Sequence, residues 1–87
     1  MGGSGMTRRE IAEQVVKITA RELKMNAADI KETDNFAMEL GADSLKSIEL
    51  VAAFEEEFGV SVIEEEALKV QSVGAAIDFF DKLLNKH

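Results

Sequence analysis

Apolar residues recur along the chain at spacings that mark helices. Ile11, Val15 and Ile18 fall three and four residues apart, the period of one buried helical face, and Ala12, Val16 and Leu23 widen that face on one side. Thr7 stands where an N-cap belongs, and Glu10 completes a capping box, so a first helix is predicted from residue 7 to about residue 25. Asn26 ends it. Residues 26–43 are rich in Asn, Asp and Ala; the isolated Ile30, Phe36, Met38 and Leu40 predict a long loop pinned to the core by those side chains. Such a loop in a small domain is uncommon and often functional. A second helix is predicted over residues 44–58, with Gly59 as its C-cap. Val60, Val62 and Ile63 are β-branched but have no visible strand partner, so they read as a packed loop. One or two helical turns follow over residues 64–69. Ser72 then caps a last helix to about residue 85, with Val73, Ala76, Ile77, Phe80 and Leu84 on one face. The sum is all-α: a small four-helix bundle of three main helices and one short helix, with a long first loop.

The second helix carries two apolar stripes. At about 100° per residue, Ser47, Leu50, Val51, Phe54 and Phe58 share a sector roughly opposite Leu45, and that sector is the core face. Leu45, Ile48 and Ala52 form another stripe, with Glu49 and Glu56 along one edge and Glu55 along the other; Lys46 and Glu57 lie farther round. One helix of a small bundle needs one buried face. The extra stripe is either covered by another part of the chain or is a docking strip rimmed by carboxylates.

Composition narrows the function. The 87 residues, 46 % hydrophobic and 31 % charged, suit one small domain with a packed core. "MGGSG" before Met6 reads as a tag or linker, which leaves residues 6–87 as the domain. The chain has no Cys, which fits a reducing, cytoplasmic setting and rules out disulfides and thiolate metal sites. No apolar run approaches the roughly 20 residues of a membrane span. Between Glu39 and Glu66, nine acids stand against the single base Lys46, so the rest of the chain is close to neutral. Acid concentrated in this way disfavours nucleic acid and anionic membranes and favours basic protein patches, although a merely solubilising surface fits the charge as well.

The remaining chemistry centres on "ELGADSLKSIEL", residues 39–50. Ser or Asp at a helix entrance is most often an N-cap. Here Asp43 and Ser44 are adjacent and one cap needs only one of them, so the other is free to face outward. A nucleophilic serine would need a general base in reach, and the lone histidine is His87 at the C-terminus. There is no G-x-S-x-G elbow and no alternating Asp/Asn calcium loop, so no catalytic residue and no metal ligand is assigned. A hydroxyl at a positively polarised helix tip can instead anchor a phosphate ester, with another enzyme performing the attachment.

"ELGADSLKSIELVAAFEEEFGV" resembles the acyl carrier proteins, whose signature is Leu-Gly, a variable residue and Asp-Ser-Leu, followed by an acidic helix. "NFAMELGADSL", "FEEEF" and "SVGAAIDFF" extend the resemblance over nearly the whole chain after the tag. It implies a 4′-phosphopantetheine arm on Ser44, flanked by Asp43 and Leu45, whose thiol carries acyl thioesters. It implies a phosphopantetheinyl transferase as one partner, with Asp43 assisting at the Mg²⁺ of that enzyme. The other partners would be acyl-transferring, condensing and modifying enzymes with basic patches, gripping Leu45, Lys46, Ile48, Glu49, Ala52, Glu55 and Glu56. It also implies an acyl cavity lined by Phe36, Phe54, Val62, Ala67, Val70 and Ala76, and a monomeric carrier without catalysis of its own. Lys46, Ala52 and Ile63 depart from the fatty-acid type, where an acid, a larger apolar residue and a proline are frequent. Fatty-acid, polyketide and related pathways stay open, as do a peptidyl or aminoacyl carrier and an unmodified acidic helical adaptor.

Overall fold

A computed structural model describes residues 6–85; the proposed tag and His87 lie outside the described residues. The chain forms α1 (Arg8–Leu23), a 3₁₀ turn at Ala27–Asp29, α2 (Ser44–Phe58), α3 (Glu64–Ala67) and α4 (Val73–Leu84). Thr7 caps α1 through the reciprocal box with Glu10. The helix stops slightly earlier than the pattern suggested, because Lys24 takes a left-handed conformation at the C-cap. Gly59, with φ of 66°, closes α2 in the same way.

The α1 helix is the hub and packs against both α4 and α2. Ile11, Val15 and Ile18 meet Leu50, Phe54, Val73, Ala76, Ile77 and Phe80 in one buried cluster. The Phe80 ring lies 5.0–5.4 Å from those of Phe54, Phe58 and Phe79, at tilted or edge-on angles that suit aromatic quadrupoles. The chain ends are clasped. Arg8 pairs with Asp78, whose hydrogen bond raises the guanidinium above its ordinary pKa. Asn85 donates to the Met6 carbonyl at 2.7 Å.

The long loop is fixed by what it gives to α4. The first N–H groups of a helix lack internal partners. Here Val73 N–H donates to the Asp34 carbonyl at 3.0 Å, Gly74 N–H to the Glu32 carbonyl at 2.8 Å, and Ala75 N–H to Ser72 Oγ at 3.1 Å. A Cβ at position 74 would stand 3.0 Å from that Glu32 oxygen, tighter than ordinary contact, so the close approach favours glycine. Phe36 N–H donates to the Gln71 carbonyl at 2.9 Å, beside an isolated bridge between Asn35 and Ser72. Ile30 and Phe36 are buried and Leu40 half-buried, as a pinned loop requires, whereas Met38 is 82 % exposed. The cause is an Asx turn: Asn35 Oδ1 accepts from the N–H groups of Ala37 and Met38 and swings that segment outward. Ile63 is likewise exposed rather than packed. Among the described residues no helix is long and apolar enough to cross a membrane.

Candidate functional site

Gly41, with φ of 74°, turns the chain so that Ala42 is buried and Asp43 arrives at the head of α2. The Ala42 N–H donates to the Phe36 carbonyl at 2.7 Å and fixes that approach. Asp43 then takes the capping role: its Oδ1 accepts from Lys46 N–H at 2.8 Å, and its carbonyl accepts from Ser47 N–H at 2.9 Å. Ser44, the first residue of α2, is exposed and its hydroxyl has no partner among the described residues. The Ser44 and Leu45 N–H groups are also without partners there. An exposed hydroxyl beside two unused backbone donors at a positively polarised helix tip suits a phosphodiester.

The second stripe of α2 is uncovered: Leu45 is 63 % and Ile48 64 % exposed, and Ala52 is exposed as well. Its charged neighbours differ in what they do. Lys46 folds back, with Nζ 3.4 Å from Glu49 Oε1 and 3.5 Å from the Glu22 carbonyl near the end of α1. That carbonyl belongs to the negatively polarised helix end, a natural place for an ammonium. Glu56 points to solvent. Glu55 is half-buried and accepts from Val62 N–H at 2.6 Å, so it is bound into the loop after α2.

One turn along α2 from Ser44, Ser47 opens onto an apolar cavity of about 360 Å³. Of the residues that the resemblance placed at an acyl cavity, Phe36, Phe54, Val62, Ala67 and Val70 line this one. Ala76 does not; it is wholly buried in the sealed core, and α4 presents Phe79 and Phe80 to the cavity instead. The sequence reading also missed Met38 and Leu68 at this site. Each stands near a residue already placed at the cavity, Met38 two after Phe36 and Leu68 next to Ala67, and that adjacency was the available signal.

Comparison with known proteins agrees with this geometry. The family described as "Phosphopantetheine attachment site" matches residues 13–80. The solved acyl carrier protein of Enterococcus faecalis, known for high thermal stability, superposes with a TM-score of 0.71 at 36 % identity, over 85 % of this chain and 94 % of that one. The described bundle, three long helices and one short, is the acyl carrier protein fold. The chain therefore belongs to the acyl carrier proteins of the phosphopantetheine-attachment family: it bears 4′-phosphopantetheine covalently and works as a carrier, not as a catalyst.

Proposed function

We propose that Ser44 Oγ is the attachment atom. The observation that carries this reading is the division of labour at the head of α2: Asp43 completes the cap and leaves the Ser44 hydroxyl exposed and, among the described residues, unpartnered. Asp43 is also the acid a transferase meets beside that serine. The attached arm supplies a thiol that holds acyl groups as thioesters. Tethering keeps such cargo at high effective concentration for each enzyme in turn.

The docking face is the stripe of Leu45, Ile48 and Ala52, with Glu49 and Glu56 beside it. Its clients are the phosphopantetheinyl transferase and acyl-transferring, condensing and modifying enzymes that present a greasy groove with a basic rim. Lys46 keeps its charge against Glu49 and the end of α1, which softens its repulsion of such a rim. The apolar cavity receives the cargo chain. Its volume of about 360 Å³ is at the lower end of small-molecule pockets, which favours short or medium chains. An apolar lining suits acyl cargo better than an aminoacyl group, whose ammonium would lose its hydration there. Residues 6–87 act as one monomeric domain in a cytoplasmic fatty-acid or polyketide-type pathway.

The test is an intact-mass measurement after treatment with coenzyme A and a broad-specificity transferase. Wild type that lacks the arm gains the mass of one phosphopantetheine and Ser44→Ala gains none. A gain that survives Ser44→Ala contradicts the assignment.

A further inference from the structure

We propose that Glu55 is a latch: its carboxylate holds a strap of residues 61–70 over the apolar cavity, and an apolar chain passes when that hydrogen bond lets go. The strap contains α3. Its inner side, Val62, Ala67 and Val70, lines the cavity, while Glu64, Glu65, Glu66 and Lys69 face solvent. The strap's backbone bonds are local: Ala67 N–H donates to the Ile63 carbonyl, Leu68 N–H to that of Glu64, and Val70 N–H to that of Ala67. Among the described residues, one hydrogen bond ties it to the rest of the molecule, from Val62 N–H to Glu55 Oε2 at 2.6 Å. Among the described residues, α3 makes no broad contact with another helix. Flanking bonds fix the two ends, from Val60 N–H to the Glu55 carbonyl and from Phe36 N–H to the Gln71 carbonyl. The span between them is anchored at its ends and rests on the core through the half-buried Val62 and Val70, and such lightly held segments open locally before the core does.

A hydrogen bond to a half-buried carboxylate is of the stronger, charge-assisted kind. Glu55 is half-exposed at the edge of the uncovered stripe, so a basic side chain on a docked enzyme can pull its carboxylate outward. A carboxylate turned outward to meet that cation draws away from the Val62 N–H. A cation drawn to Glu55 therefore loosens the strap, whereas one drawn to Glu56 leaves it in place. The identity of the cargo rests on the proposed function; the latch itself does not.

The experiment uses the unmodified protein, so failure of the Ser44 assignment and failure of the latch are separable. Amide hydrogen exchange is followed at Val62 and at the core residue Ile77, and 1-hexanol serves as the apolar probe, read through the Val70 and Phe79 resonances. Glu55→Asp, whose shorter side chain falls short of Val62, and Glu55→Ala speed Val62 exchange by about tenfold or more and leave Ile77 unchanged. Glu55→Gln keeps an acceptor of the same reach and changes Val62 by about threefold or less. Hexanol enters faster in the same order. Unchanged Val62 protection in both Glu55→Asp and Glu55→Ala overturns the proposal, and so does an equal effect from Glu56→Ala. If Glu55→Ala exposes Ile77 by unfolding, Glu55→Asp alone decides.

Discussion

Ile77 on α4 and Ile48 on α2 are the same residue in two long helices, yet one is wholly buried and the other is 64 % exposed. The difference extends to their surroundings. Around Ile77, α1 and α4 close on each other through Ile11, Val15, Ile18 and Val73. Around Ile48, nothing closes: Leu45 and Ile48 stand in solvent, and behind α2 an apolar cavity lies under a lightly held strap. The first region holds the bundle together. The second leaves apolar surface unsatisfied, and that surface is where we propose that clients and cargo fit.

The sharpest way to break this contrast is truncation on each side. Ile77→Ala is expected to cost about 3 kcal/mol in a denaturant titration, from lost transfer energy and the cavity left behind. Ile48→Ala is expected to stay within about 0.5 kcal/mol, because its side chain is already wet. Equal losses would mean that the stripe is covered in solution. At the head of α2 the same titration separates two neighbours. Asp43→Ala removes the cap and is expected to cost about 1 kcal/mol, while Ser44→Ala is expected to cost a few tenths at most. If Ser44→Ala proves the costlier change, the hydroxyl has a structural task.

A further contrast lies within the sealed half. Thr19 is wholly buried and its Oγ1 lacks a partner among the described residues. Thr19→Val replaces that hydroxyl by a methyl of similar shape and is expected to raise stability by about 1 kcal/mol, read as a shift of the unfolding midpoint. The smallest effect concerns the open half. Glu55, Glu56 and Glu57 on α2 and Glu64, Glu65 and Glu66 on α3 concentrate negative charge there. Moderate salt is expected to raise the melting temperature by roughly 3 °C through screening. A melting curve indifferent to salt would place the two clusters beyond each other's reach.

Much of the sealed half could be read from the sequence, because its signals are local. The Thr7–Glu10 box, the Ser72 cap and the glycine at position 59 mark element ends through neighbours a few residues away. The three-and-four spacing of Ile11, Val15 and Ile18 marks the buried face. The second stripe was legible as well, since α2 carries two apolar sectors, but whether the chain covers it stayed open until the fold left Leu45 and Ile48 exposed. What escaped depends on contacts between distant segments. Periodicity put Ala76 on the apolar face of α4 but could not say that it faces the sealed core while Phe79 meets the cavity. Met38 looked like an anchor until Asn35 turned it outward. Lys46 and Glu55 read as two more rim charges. Only folding brings the first to the Glu22 carbonyl and the second to the Val62 N–H.

Attachment of the arm to Ser44 is tested by fragmenting the modified protein and locating the added mass along the chain. The other described serines have reasons to be passed over: Ser47 faces the cavity, Ser72 caps α4, and Ser61 is exposed but stands at no helix tip. The expected result is the whole added mass on the fragment that carries Ser44. Its appearance on Ser47, Ser61 or Ser72 would contradict the account.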